Sequence, residues 1–140
     1  CVRPRWAKLS PNTDRLVDIA GAAAGAGAEA VTLINTVQGM IVDPVAGRPV
    51  LANGSGGLSG RAIHPVAVRA VWEVRTAHPD LPIVGVGGVA SGRDAAELMA
   101  AGADAVQVGT ASFGEPGAVG RVLAELGDWW ARHGRPVRRA

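Results

Sequence analysis

Apolar residues fall in short runs along this chain, and polar residues collect between them. The runs at 5–9 (RWAKL), 30–34 (AVTLI), 82–86 (PIVGV) and 105–108 (AVQV) have strand length. They lack the alternation of a sheet with one wet face, so they are expected to be buried on both sides. Between them the apolar period lengthens to that of a helix. Leu16, Ala20, Ala23 and Ala24 follow Thr13 as the expected cap, and Val68, Val71, Trp72 and Arg75 follow Pro65. Leu98 and Met99 follow Ser91, with Asp94 in capping position, and Val119, Val122, Leu123, Leu126 and Trp130 follow Pro116. Strand and helix thus alternate in the order βαβαβαβα. This predicts an α/β fold with a parallel sheet and right-handed crossovers, either a (β/α)8 TIM barrel or an open doubly wound sheet.

An internal repeat favours the barrel. "AGAEAV" at 26–31 returns as "AGADAV" at 101–106, each time a glycine closing a helix, a small-residue turn and the start of a strand. Glycine-rich ends on the last two strands point the same way, because barrels often bind phosphate in the loops after strands seven and eight. With "VGVGG" (84–88) as the seventh strand and "VQVGTA" (106–111) as the eighth, Gly87, Gly88, Gly109 and Thr110 form a candidate anion cup. Glycine has no Cβ, so backbone N–H groups there can approach an anion closely, and a side chain at Gly88 is expected to fill the anion's space. On this reading the chain supplies about the last four βα units, and residues 1–140 form the C-terminal half of a single barrel domain.

Composition sharpens this picture in a few places. With 140 residues and 48% hydrophobic content the chain can bury one core. Twenty glycines without a collagen-like period are about twice the usual share of roughly 7%, which marks turns and close approaches. Lys8 ends the first strand, where it is either a surface lysine or a cation at the barrel mouth. Asn35 and Thr36 end the second strand; they either cap a turn or offer the paired donor and acceptor that a cyclic amide needs. Residues 37–57 belong to a long connection that is expected to form a hairpin insertion with "VAGR" (45–48) as its turn.

Charge and cysteine content exclude several classes. Fourteen basic and twelve acidic residues give +2, with the excess at the ends in Arg3, Arg5, Arg132, Arg135, Arg138 and Arg139. No aromatic residues interleave with these arginines, so a solvated tail is expected and no nucleic-acid partner. One cysteine excludes an internal disulfide and a cysteine-ligated cluster made by this chain alone, and fits a cytoplasmic protein. No apolar run reaches membrane-spanning length, so no membrane partner is expected. A start at Cys1 without a signal pattern points to a processed or truncated product. His64, His78 and His133 show no HxH or HExxH spacing, so no metal site is expected.

Taken together, "KLSP" (8–11), "LINT" (33–36) followed by "GM" (39–40), "LANGSGGLSG" (51–60), "GVGGV" (85–89) and "VGTA" (108–111) resemble the C-terminal half of the dihydroorotate dehydrogenases. The resemblance covers nearly the whole chain and is closest to the NAD-linked class 1B form, of which "LINT…GM…D" and "LAN" before "GGLSG" are features. It implies that Lys8 contacts the flavin ring of FMN with Ile34 beside it, and that Asn35 and Thr36 hydrogen-bond the pyrimidine ring of the substrate. It further implies that Gly60 contacts FMN and that Gly87, Gly88, Gly109 and Thr110 hold its phosphate. The reaction implied is oxidation of dihydroorotate to orotate in pyrimidine biosynthesis, with hydride passing to flavin N5 while a base removes a neighbouring proton. That base is a cysteine in the N-terminal half of the family's barrel. Cys1 lacks its "SCPN" context, so no catalytic base is assigned in this chain. Class 1B enzymes also use a second subunit, carrying FAD and an iron–sulfur cluster, that relays electrons to NAD. A homo- or hetero-oligomer is therefore expected, and 37–57 is either a contact surface or a loop that covers the barrel mouth. Two other readings stand beside this one: a phosphate-binding barrel isomerase or lyase, which needs no flavin-facing Lys8, and an inactive FMN-binding or interaction fragment.

Overall fold

The computed structural model describes residues 3–136, so Cys1, Arg138 and Arg139 lie outside the described residues. In chain order the elements are β1 (Trp6–Leu9), α1 (Leu16–Gly25), β2 (Ala30–Leu33), β3 (Val37–Gly39), β4 (Val42–Asp43), β5 (Arg48–Pro49), β6 (Gly56–Leu58), a 3-10 turn (Arg61–Ile63), α2 (His64–Ala77), β7 (Ile83–Val86), α3 (Gly92–Ala101), β8 (Ala105–Gln107), α4 (Ala111–Gly114) and α5 (Ala118–His133). One parallel sheet runs β1-β2-β7-β8, with Trp6 opposite Ala30, Val31 opposite Ile83 and Val84 opposite Ala105. The strand order follows the chain without the reversal that defines a doubly wound sheet, so these are four βα units of a partial (β/α)8 barrel.

Only the two inner strands have the burial expected of all four. Every residue of β2 is buried and β7 is nearly so, and Val31, Leu33 and Ile83 pack with Ala20, Ala67, Val71, Val74 and Leu98 at the centre of the core. β1 and β8 each leave one edge unpaired among the described residues, and Trp6 on β1 is 59% exposed. The helical faces are also rotated from expectation. α2 buries Ala67, Ala70, Val71, Val74 and Arg75 and leaves Trp72 exposed. α5 packs through Val122 and Leu126 and leaves Val119 and Leu123 exposed. Thr13 is not the cap of α1. Arg15 holds that position, and Thr13 Oγ1 instead accepts the Arg15 N–H in the preceding turn. The Ser91 cap is present, its Oγ accepting the Asp94 N–H while the Asp94 carboxylate accepts the Ala90 N–H.

The sequence repeat is a structural repeat. Gly27 N–H bonds Ala24 O and Ala28 N–H bonds Ala23 O, while Gly102 N–H bonds Met99 O and Ala103 N–H bonds Leu98 O. These are two copies of one Schellman ending, which requires the positive φ that both glycines adopt. An arginine reaches each corner, Arg5 to Gly27 O and Arg75 to Gly102 O.

The segment between β2 and α2 is an antiparallel arm. β3 pairs with β6, β4 pairs with β5 farther out, and the tip turns where Asp43 Oδ1 accepts the N–H groups of Val45 and Ala46. Met40, Ile41, Val42, Val45 and Val50 are exposed along it.

Candidate functional site

All nine residues singled out from the sequence line one cleft of about 120 Å³ at the C-terminal ends of the parallel strands, with Ser59, Ile63 and Val86 completing its wall. The strand ends explain how they meet. Asn35 N–H bonds Leu9 O and Ile34 N–H bonds Val86 O, so the chain leaving β2 stays tied between β1 and β7. Ile34 and Ile63, exposed by 2% and 4%, give the cleft an apolar floor. Lys8 is exposed and makes no hydrogen bond or ion pair among the described residues. Asn35 turns its Oδ1 to the Thr36 N–H at 2.8 Å, which leaves its amide hydrogens without a partner among the described residues.

Asn12 was not foreseen as part of this arrangement. Its Nδ2 donates to Thr36 O and its Oδ1 accepts the Gln38 N–H, so it holds the chain where the second strand passes into the arm. The arm then comes so close that a Cβ at Gly57 would collide with the Thr36 hydroxyl.

The glycines of the candidate cup differ from one another. Gly87 and Gly88 have φ of 144° and 67°, and a Cβ at Gly87 would lie 2.7 Å from Ala67 Cβ. A Cβ at Gly88 would lie 2.8 Å from both Gly60 O and His64 Cβ. Gly88 is therefore glycine to admit neighbouring protein atoms, which corrects the expectation that its side chain would fill ligand space. Gly109 is the open position: among the described residues no atom beyond its chain neighbours lies within 4 Å of a Cβ built there. A second cleft of about 250 Å³ shares Gly60, Gly88 and Thr110 with the first and adds Arg61 to its lining.

Behind this cup, burial pushes the Asp94 carboxyl up. Hydrogen bonds from Ala90 and Ser91, with the charges of His64 and Arg61, outweigh that effect and hold it below the ordinary carboxylate value. The other two histidines bind backbone carbonyls elsewhere, His78 that of Val17 and His133 that of Trp129. Among the described residues no three His, Cys, Asp or Glu side chains gather as a metal group, and no helix is long and apolar enough to cross a membrane. An apolar groove of about 610 Å³ runs beside β8, bounded by α3 and α5, and shares Lys8 and Gly109 with the cleft.

The profile of the dihydroorotate dehydrogenase family matches residues 2–129. A protein of Geobacter sp. (strain M21) named dihydroorotate dehydrogenase B (NAD(+)), catalytic subunit, is 54% identical over 131 residues, covering 94% of this chain and 43% of the relative. Proteins of the same name from Geobacter sulfurreducens and Desulforudis audaxviator are 50% identical over 133 residues and 52% identical over 131 residues. The chain covers 95% and 94% of its own length in these matches and spans 43% and 42% of those relatives. A profile match over nearly its whole length, on a parallel βα architecture with this cleft at its strand ends, shows that the chain belongs to the dihydroorotate dehydrogenase family.

Proposed function

We propose that this chain is the C-terminal half of the catalytic barrel of an NAD-linked dihydroorotate dehydrogenase, and that with four further βα units it oxidises dihydroorotate to orotate using FMN. The observation that carries this reading is the convergence of Lys8, Ile34, Asn35, Thr36, Gly60, Gly87, Gly88, Gly109 and Thr110 on one cleft. The cleft suits a flavin phosphate ester: it has an apolar floor for a ring, a cation beside it, and open space above Gly109 where backbone can meet an anion. When bound, FMN supplies the two-electron acceptor that no side chain here can provide.

The chain's own residues have separate tasks in this reading. The Lys8 ammonium places positive charge where negative charge grows on the reduced ring. Ile34 and Ile63 keep water from one face of the cleft. The free amide hydrogens of Asn35 donate to the pyrimidine, and Asn12 keeps that end of β2 in place for them. The glycine-rich strand ends and Thr110 hold the phosphate. The base that removes the substrate proton belongs to the preceding half of the barrel.

The relatives' names call them catalytic subunits, and the exposed apolar side chains of the arm support a second polypeptide, carrying FAD and an iron–sulfur cluster, that passes electrons to NAD. A cytoplasmic location accords with a single cysteine. Family membership speaks against the isomerase or lyase reading. The test is a completed barrel, in which this chain is joined to the preceding four βα units. It should purify yellow, and dihydroorotate should bleach the flavin spectrum. A protein that folds cooperatively yet retains no FMN, or whose flavin dihydroorotate does not bleach, would overturn the proposal.

A further inference from the structure

Gly87 and Gly88 carry the proposed anion-binding turn, yet they have no side chains to hold the peptide between them in one orientation. A Gly–Gly peptide can turn over at little steric cost, exchanging the directions of its carbonyl and its N–H. Because a trans peptide is planar, Gly87 C=O and Gly88 N–H point opposite ways, so whatever fixes the first also aims the second. His64 fixes the first: its Nδ1 lies 2.8 Å from Gly87 O. A carbonyl only accepts, so Nδ1 carries the hydrogen.

The imidazole is itself held. Its side chain is 12% exposed, and Nε2 is shut off from solvent, makes no hydrogen bond among the described residues and stands 3.5 Å from Glu97 Oε2 of α3. His64 also begins α2, and a Cβ built at Gly88 would lie 2.8 Å from His64 Cβ. Gly88 meanwhile is half-buried, and its N–H makes no hydrogen bond among the described residues. A buried or half-buried N–H left without a protein partner is what a bound acceptor satisfies.

We propose that His64 is a positioning residue for anion recognition: by locking the Gly87–Gly88 peptide it keeps the Gly88 N–H turned to the phosphate of a phosphorylated flavin. The inference rests on the reading of the cleft given above. His64 does not line the cleft, so it acts through the peptide alone. A histidine that merely fills space would affect every ligand alike, whereas a peptide lock matters only to the ligand that has a phosphate.

The test measures binding of FMN and of riboflavin, which lacks the phosphate, to the completed barrel by flavin fluorescence. His64→Leu removes the donor and should weaken FMN about five- to tenfold, the loss expected for one hydrogen bond, while riboflavin changes less than about twofold. His64→Asn puts an N–H near the Nδ1 position and should restore FMN binding. His64→Gln puts its N–H near the Nε2 position and should not. The Asn and Gln variants carry the comparison if the Leu variant fails to fold. Equal losses for both flavins, or full FMN preference in His64→Gln, would overturn the role of His64. A wild-type completed barrel that binds both flavins equally would instead overturn the phosphate reading of the cleft, whatever the variants do.

Discussion

Gly88 and Gly109 both line the cleft, but the space around them predicts opposite consequences for the same substitution. Gly88→Ala places a methyl on a residue with φ of 67°, which costs about 1–2 kcal/mol for a non-glycine residue. The methyl would also lie 2.8 Å from Gly60 O and 3.0 Å from His64 N, two backbone atoms that cannot swing aside. Overpacking of that kind adds about 1–3 kcal/mol, so the stability loss should reach roughly 2–5 kcal/mol. At Gly109 the φ is not left-handed and among the described residues no atom beyond its chain neighbours lies within 4 Å of the added methyl, so stability should change by less than about 0.5 kcal/mol. That methyl instead enters space assigned to the ligand in a cleft of about 120 Å³. A clash there of about 1–3 kcal/mol weakens FMN roughly 5- to 150-fold. Urea unfolding and FMN titration of the completed barrel measure the two effects separately. If Gly109→Ala destabilises the protein as much as Gly88→Ala does, or leaves FMN binding unchanged, the division of roles between these glycines is wrong.

Lys8→Met should lower the potential of bound flavin by roughly 30–60 mV, the two-electron equivalent of losing about 1.5–3 kcal/mol of charged hydrogen bonding; an unchanged redox titration and unchanged rate of flavin reduction would remove Lys8 from the site. Because the Asp94 carboxyl is held below its ordinary value in the fold, it contributes stability above the ordinary carboxylate range that is lost as pH falls toward the folded value. Asp94→Asn should therefore flatten the acid side of the stability profile, and an unaltered acid limb in urea melts would refute the cap's ionic character. Arg75→Met breaks a buried contact of 2.8 Å with Asp104 and should cost about 3–5 kcal/mol of stability while leaving the ratio of FMN to riboflavin affinity as it was; a changed ratio would tie that ion pair to the site. Residues 1–140 expressed alone expose both sheet edges and the groove beside β8, so light scattering should show association or a loose state with little flavin; a sharp, cooperatively unfolding monomer bleached by dihydroorotate would contradict this.

The parallel βα order was legible because period and cap signals are local. Ser91 and Asp94 sit three residues apart, and each Schellman glycine closes its own helix. Which face of a helix meets the sheet is not local. The apolar period places Val71 and Trp72 on neighbouring bearings, and packing alone decides that Val71 is buried and Trp72 exposed. The same limit governs the site. Glycine-rich strand ends advertise a close approach, but the missing Cβ of Gly88 makes room for Gly60 and His64, and that of Gly109 makes room for nothing among the described residues. Asn12 was not singled out, and His64 was weighed only as a metal ligand, because their partners lie 24, 26 and 23 residues away, beyond any spacing rule.

The two ends of the sheet treat their polar groups in opposite ways, and that difference connects fold to function. At the N-terminal ends of β7 and β8, the Arg75 guanidinium reaches Gly102 O, Pro79 O and Asp104, and Asp104 also accepts the Ile83 N–H. Arg5 ties down the matching corner at the start of β2. Pairing of this kind consumes hydrogen-bonding capacity and fixes strand register. At the C-terminal ends the Lys8 ammonium, the Asn35 amide hydrogens and the Gly88 N–H are left without protein partners among the described residues, around an apolar floor. Open donors are unfavourable unless something outside the chain satisfies them, and they stay in position only if the strands beneath cannot slip. Satisfied polar groups at one end are therefore the condition for unsatisfied ones at the other, and the unsatisfied set matches an anionic, ring-bearing ligand: a cation, a free amide and a backbone N–H whose direction His64 sets.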